Sequence, residues 1–407
     1  MIKHIKNPVT SDKIKAIASK SEVHRLLICA ALGDKETEII CENINADIKA
    51  TADCLTALGA KIKYTDKVFY VSPIKNTPEN PVLPCNESGS TLRFLLPVAS
   101  VLGKGGIFET AGRLSERPLS PLKEELERAG IEISVRDKKI TVSGKCREAD
   151  FTVAGDVSSQ FISGLMFMLS ITGGKINITG SIQSRPYIEM TIDALRLFGC
   201  GIDFSDNVIT VKKVCPLKSP GKTKSFGDWS NAAFFITAGV VGKKPVTVTG
   251  LDMNSRQGDK KIIGILRHMG AEIRTENDSV TAFPSELKAT DIDASDIPDL
   301  VPVLSVAAAN AKGTTKIYNC SRLRIKESDR IEAVKEMLEA LGGKVRVIND
   351  DIIIEGSPLR GGSVDSKNDH RIAMSAAAAS FATENEVTVI DAEAVNKSYP
   401  SFWDEIR

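Results

Sequence analysis

With 407 residues, the chain has room for about two or three domains. Lys plus Arg number 53 against 52 Asp plus Glu, a formal charge of +1, so no overall basic field argues for nucleic acid or an anionic membrane as a partner. The eight cysteines form no CxxC pair and the four histidines (His4, His24, His268, His370) are scattered, which suggests neither a zinc site nor a disulfide framework. The N-terminal MIKHIKNPVT lacks an apolar signal core, and no apolar run approaches the roughly 18 residues of a membrane span. The composition therefore reads as a reduced, cytoplasmic chain.

Taken in chain order, one pattern returns six times: a short polar turn opens an apolar helix, which stops at glycine. It begins at Ser19-Lys20-Ser21 before HRLLICAALG, at Gly89-Ser90 before TLRFLLPVASVLGKG, and at Ser158-Ser159 before QFISGLMFMLSITGG. It begins again at Trp229-Ser230 before NAAFFITAGVVGK, at Pro298-Asp299 before LVPVLSVAAANAKG, and at Asp369-His370 before RIAMSAAAASFATEN. From Lys20 through Ser90, Ser158, Ser230 and Pro298 to His370 the steps are 70, 68, 72, 68 and 72 residues.

A second marker keeps the same phase. Amphipathic helices run into strands at LTALGAKI, LERAGIEI, LRLFGCGI, LRHMGAEI and LEALGGKV, and their glycines (Gly59, Gly130, Gly199, Gly270, Gly342) step by 71, 69, 71 and 72. Two signals in fixed phase define an internal repeat, which outranks residue-level assignment when a fold is inferred. The first helix of each repeat is apolar nearly all round and belongs inside; the second has two faces and lies between core and solvent. Three such repeats per domain, in two domains, predict an α/β fold with helices in the core and sheets outside. The polar, Pro/Gly-bearing VCPLKSPGKTK (214–224) separates repeats three and four. We therefore place one domain at 12–222 and the other at 1–11 plus 223–407. The N-terminal MIKHIKN would supply a strand missing from the truncated sixth repeat. Gly221-Lys222-Thr223 resembles the tail of a phosphate-binding loop, but Pro216 stands where its first glycine should be.

The repeat turns present helix N-termini, which attract anions, and basic, hydroxyl or amide side chains stand at them: Lys20, Ser21, Arg25, Arg93, Ser158, Ser159, Gln160, His370 and Arg371. The strand-to-second-helix junctions add Arg113, Arg117, Ser184, Arg185, Arg256, Arg322, Lys326, Arg330 and Lys397. In a nearly neutral chain this placement points to a polyanionic small-molecule site, because arginine forks fit carboxylate and phosphate. Two acids in this basic company, Asp299 and Glu327, are candidates for general acid or base. Glu327 also reads as the opening of an amphipathic helix, where an acid complements the dipole.

These residues and their neighbours resemble the 5-enolpyruvylshikimate-3-phosphate (EPSP) synthase family. The resemblance is carried by Ser19-Lys20-Ser21 with Arg25, Gly89-Ser90-Thr91 with Arg93, Glu116-Arg117-Pro118, Ser158-Ser159-Gln160 and Arg185-Pro186-Tyr187. In the second half it continues through Ile297-Pro298-Asp299, Lys326 to Arg330, Asn368-Asp369-His370-Arg371, and Lys397 before Tyr399-Pro400. It runs the length of the chain. It implies a two-domain inside-out α/β barrel, each domain three βαβαββ units with buried central helices, and a monomer.

The implied reaction moves the enolpyruvyl group of phosphoenolpyruvate to the 5-hydroxyl of shikimate 3-phosphate, on the route to chorismate, through a tetrahedral intermediate without cofactor or metal. By resemblance, Ser158, Ser159, Ser184 and Lys326 hold the shikimate phosphate, Ser21 and Arg25 its carboxylate, and Gln160, Asp299 and Arg322 its ring hydroxyls. Phosphoenolpyruvate falls to Lys20, Arg117, Gln160, Arg330, Arg371 and Lys397, with the Gly89 backbone close by. Lys20 and Glu327 handle the proton at the methylene carbon, and Asp299 accepts the hydroxyl proton. Glu87 stands where the family's loop carries no acid, and is expected to point away. The alternatives are the nucleotide-sugar enolpyruvyl transferase family and a non-catalytic repeat scaffold. The former usually carries a cysteine or aspartate where this chain reads Arg113-Leu114-Ser115-Glu116-Arg117-Pro118.

Overall fold

A computed structural model describes residues 1–11, 13–103 and 105–406. The boundary expected at Asp12 lies outside the described residues, as do Lys104 and Arg407. The chain divides into two compact units, Ala18–Ser225, and Met1–Ile17 with Phe226–Arg407, with crossings slightly later along the chain than the sequence reading places them.

Each of the first five repeats supplies an inner and an outer helix. The first has α1 (Lys20–Ala31) and α2 (Ala46–Ala57), the second α3 (Gly89–Leu102) and α4 (Leu122–Arg128), the third α5 (Ser159–Thr172) and α6 (Arg185–Leu197). The fourth has α7 (Trp229–Val241) and α8 (Lys261–His268), the fifth α9 (Val301–Ala309) and α10 (Arg330–Ala340). The sixth has α11 (His370–Ala379), and two 3-10 turns, Ala392–Lys397 and Phe402–Asp404, stand where an outer helix would. The inner helices are buried all round, as α5 is from Phe161 to Ser170, and their side chains dominate a separate apolar core in each unit. Truncating such a residue, Phe167 for example, costs about 3–5 kcal/mol.

The polar turns are helix caps. Ser19, Ser88, Ser158, Asp228 and Asp369 each accept a hydrogen bond from a backbone N–H in the first turn of the helix they precede. Helix α9 departs from this: Leu300 precedes it without a side-chain cap, and Pro302 near its start removes one N–H that would need a partner. The second marker also has a backbone cause. Gly59, Gly130, Gly199, Gly270 and Gly342, which close the outer helices, all have φ between 77° and 109°, where a Cβ would be strained. The expectation that inner helices stop at glycine fails twice. Helix α9 ends at Asn310, and α11 runs through Ser380 into a further 3-10 turn, because Asn310 and Ser380 close those ends by backbone hydrogen bonds.

Each complete sheet has a leading strand paired in parallel with the strand that follows the inner helix, then two antiparallel strands. In repeat two the order is Val82–Asn86, Gly106–Thr110, Lys139–Gly144, Ile131–Arg136. At the two crossings the leading strands are exchanged. Lys13–Lys15, just before α1, pairs in parallel with Val246–Thr249, while Lys222–Lys224, just before α7, pairs in parallel with Thr37–Ile40. In the sixth repeat Ile2–Ile5 pairs antiparallel with Val387–Ile390. Tyr399 and Phe402 then close the core against Phe235. Among the described residues no helix is long and apolar enough to cross a membrane.

Candidate active site

In the unit Ala18–Ser225 the capped starts of α1, α3 and α5 carry the expected side chains. Lys20 is the first residue of α1, so it belongs to the start of a core helix, where the sequence reading placed it outside one. Its Nζ donates to Asp47 Oδ2 at 2.8 Å, and Asp47 lies in the first turn of α2. Arg25 is buried, with Nε on Thr191 Oγ1 (2.8 Å), Nη1 on the Ser21 carbonyl (2.6 Å) and Nη2 on the Tyr187 carbonyl (2.8 Å). Burial lowers its pKa to about 10. The guanidinium thereby ties α1 to α6.

Gly89 opens α3 with two guanidiniums close to it: a Cβ there would stand 2.7 Å from Arg93 Nη1 and 2.8 Å from Arg117 Nη1, and would displace those side-chain ends. The two guanidiniums thus approach a helix N-terminus, which suits an anion rather than more protein. Gln160 Nε2 donates to Ser90 Oγ at 2.9 Å, bringing the starts of α5 and α3 together. Ser158 caps α5, and Ser159 is its first residue. Ser184 is buried in the left-handed region at φ 55° just before α6, a conformation that non-glycine residues adopt rarely. The Glu87 carboxyl lies against Gly112.

In the other unit the side chains are charged and touch one another. Arg330, the first residue of α10, is 1% exposed. Its Nη1 donates to Asp299 Oδ1 (2.7 Å), its Nη2 to Glu327 Oε2 (2.6 Å), and its Nε to Asp369 Oδ2 (2.8 Å). Arg371 Nη2 donates to Asp299 Oδ2 at 3.0 Å, and Lys326 Nζ stands 3.7 Å from Asp299 Oδ1. Asp369 also caps α11 and accepts from Ser328 Oγ at 3.0 Å. Lys397 Nζ donates to the Asn368 carbonyl at 2.6 Å, and Arg322 Nη2 to the Ser295 carbonyl at 2.7 Å. Glu327 does not open α10: Asp329 is the cap and Glu327 precedes it, so the dipole account of Glu327 gives way to its contact with Arg330.

Burial alone would raise the Asp299 pKa, but Arg371, Lys326 and Arg330 reverse that and hold it far below the usual carboxylate range. Burial lowers Lys326 to about 8, with Asp299 opposing. Asp259, fully buried and bonded to Ser230, is raised to about 7 by burial and then by the Asp299 charge. Three carboxylates and three cations in contact can neutralise an incoming anion and exchange protons with it.

The sequence reading missed Asp47, Asp259, Ser328 and Asp369 as partners. Asp369 sits inside the quoted Asn368-Asp369-His370-Arg371, and its place before an apolar helix was the available signal. Asp47 falls in the first turn of α2 and Asp259 in Arg256-Gln257-Gly258-Asp259, with nothing local to mark what they touch.

Residues 5–406 match the family described as EPSP synthase (3-phosphoshikimate 1-carboxyvinyltransferase). The chain is 39% identical over 401 residues to the 3-phosphoshikimate 1-carboxyvinyltransferase of Clostridium kluyveri, covering 97% of this chain and 94% of that one. It is 41% identical over 406 residues to that of Clostridium novyi, covering 96% and 93%. The fold is similar to that of EPSP synthase from Acinetobacter baumannii, with a TM-score of 0.82 at 23% identity over 100% of this chain and 99% of the other. It is also similar to the enolpyruvyl transferase NikO from Streptomyces tendae, with a TM-score of 0.77 at 20% identity over 100% and 98%.

Proposed function

We propose a reaction and its residues from one premise: the chain belongs to the EPSP synthase family. It is a transferase that moves the carboxyvinyl group of phosphoenolpyruvate to 3-phosphoshikimate. The observation that carries the reading at the level of chemistry is the cluster of Asp299, Glu327 and Asp369 with Lys326, Arg330 and Arg371.

Carboxyvinyl transfer needs a proton delivered to C3 of phosphoenolpyruvate while the acceptor's 5-hydroxyl oxygen bonds to C2 and gives up its own proton. Loss of phosphate and of a C3 proton then restores the double bond. Glu327 and Lys20 serve the C3 proton, and Asp299 serves the hydroxyl. A carboxylate held as low as Asp299 becomes an effective base once anionic substrate has taken up its cationic neighbours. Ser158, Ser159, Ser184 and Lys326 take the acceptor's phosphate, Ser21 and Arg25 its carboxylate, and Gln160 and Arg322 its ring hydroxyls. Lys20, Gly89, Arg117, Gln160, Arg330, Arg371 and Lys397 take the donor. This reading includes a cytoplasmic monomer, which size-exclusion chromatography with light scattering would test.

The reaction itself is tested by product mass. Purified protein given both substrates should yield the acceptor enlarged by one carboxyvinyl group. Product formed only when a nucleotide sugar replaces the acceptor would overturn the reading.

A further inference from the structure

Beneath the Lys20–Asp47 pair, buried hydrogen bonds cross the apolar core of the unit Ala18–Ser225. His24 Nδ1 meets Thr51 Oγ1 at 2.6 Å, Thr51 Oγ1 meets Thr91 Oγ1 at 2.6 Å, and Thr91 Oγ1 meets Ser88 Oγ at 2.7 Å. All four residues are at most 1% exposed. Each lies on a different element or at its cap: His24 on α1, Thr51 on α2, Thr91 on α3, and Ser88 as the cap of α3.

The spacing gives the chain its meaning. His24 is four residues after Lys20, and Thr51 four residues after Asp47, so each stands on the same helix face one turn deeper. The His24–Thr51 bond therefore repeats, inside the core, the Lys20–Asp47 bond at the helix mouths. Through Thr91 and Ser88 the same chain reaches the cap immediately before Gly89.

Stability is a poor account of this arrangement. Replacing buried hydrogen-bonded partners by apolar groups of the same shape is often nearly neutral, so a four-member polar chain set among apolar core residues gains little over valine and leucine. Directionality is a better one. Short bonds between threonines, which are stiff at χ1, fix how far one helix is slid along another. Burial, helped by the charges of Lys20 and Arg25, holds the His24 pKa well below its ordinary value and keeps the ring neutral, so it can serve as a fixed partner.

We propose that the chain His24–Thr51–Thr91–Ser88 is a positioning device that sets Lys20 and the Gly89 helix start at one separation for the donor substrate. The inference rests on the reading that assigns Lys20 and Gly89 to phosphoenolpyruvate. None of the four residues touches the reacting atoms; they act through Lys20, Asp47 and Gly89.

The test compares Thr51→Val, of the same shape but without the hydroxyl, with Thr51→Ser, which keeps it. Thr51→Val should lower kcat/KM for phosphoenolpyruvate by about tenfold to a hundredfold, the scale of an ångström-sized misplacement. KM for shikimate 3-phosphate should stay within about twofold and Thr51→Ser should restore the loss, since an aligned hydroxyl recovers the placement. Wild-type constants in Thr51→Val overturn the proposal. So does a parallel loss for both substrates that Thr51→Ser does not rescue, which would mark a structural role. If Thr51→Val does not fold, His24→Leu breaks the other end and carries the same expectations. A readout independent of turnover is the backbone amide resonance of Gly89 in Thr51→Val. A moved signal supports the device even if the wild-type protein transfers nothing to shikimate 3-phosphate, and an unmoved one overturns it even if the wild-type protein is fully active.

Discussion

The two units use the same repeat to build helix mouths of opposite character. At the mouths of α1, α3 and α5 the contacts run mostly from guanidiniums and an amide to hydroxyls and backbone carbonyls, with Lys20–Asp47 as an ion pair among them. Around α9, α10 and α11 six charged groups share contacts, with Arg330 and Asp369 almost wholly buried. Hydrogen bonds onto neutral acceptors are directional and individually modest beside packed ion pairs, so they suit holding the shape of a polyhydroxy substrate. Charges packed out of water interact strongly and answer to any added charge, so they suit neutralising an anion and moving a proton. The backbone supplies equivalent sites, and the side chains divide the labour.

Substitutions of the proton-handling groups, Glu327 at the charged end and Lys20 at the mouth of α1, should do the most damage to chemistry. Glu327→Gln and Lys20→Met should each lower turnover by about a hundredfold to ten-thousandfold, the range for losing a general acid or base. Both should keep wild-type circular dichroism, because Glu327 precedes its helix cap and Lys20 is only half-buried at its helix start. Near-normal turnover in either would remove that residue from the proton transfer.

Asp369→Asn should be next. It leaves the Arg330 guanidinium short of one carboxylate in a buried setting, and removing one partner of such a pair costs about 3–5 kcal/mol. The matching change in the unit Ala18–Ser225, Ser163→Ala opposite Thr191, should cost only about 1 kcal/mol. Urea unfolding of both variants measures the contrast directly, and equal losses would contradict it.

A smaller effect follows pH. Lys326, at about 8, loses its charge on the alkaline side of that value, so KM for shikimate 3-phosphate should rise as pH passes 8 upward. A flat profile would remove Lys326 from phosphate binding. The smallest effect concerns stability. Asp259 is raised to about 7 in the folded protein, whereas an unfolded aspartate titrates at about 4. From about 4 to 7 the unfolded state gives up this proton first, so this group's contribution to stability is fully present at low pH and is lost as pH rises through that window. Asp259→Asn should remove that slope, read as a smaller fall in melting temperature between pH 5 and pH 7.5. An unchanged slope would mean that Asp259 titrates normally.

Much of the fold was legible because its punctuation is local chemistry. Ser19, Ser88, Ser158, Asp228 and Asp369 had to be capping residues, and the glycines after the outer helices had to adopt left-handed backbone. Either requirement prints a period into the sequence. The strand exchange at the crossings was not legible, since Lys13–Lys15 and Lys222–Lys224 are too short to alternate visibly and their partners lie about two hundred residues away in the chain. At the site, residue types and helix starts were readable, but pairings were not. Asp369 could be seen as part of a motif, while its simultaneous hold on Arg330, Ser328 and the start of α11 depends on three segments meeting. Thr51 and Thr91 looked like ordinary helix residues, because nothing in their own neighbourhood records that they face each other.

Phosphate release from phosphoenolpyruvate by the purified protein, measured with and without shikimate 3-phosphate, tests most directly that the hydroxyl-lined and charged ends serve one transfer. Release that appears only when shikimate 3-phosphate is present, and that Glu327→Gln abolishes, is the predicted result. Release that is indifferent to shikimate 3-phosphate, or none at all from protein shown to be folded, would contradict it.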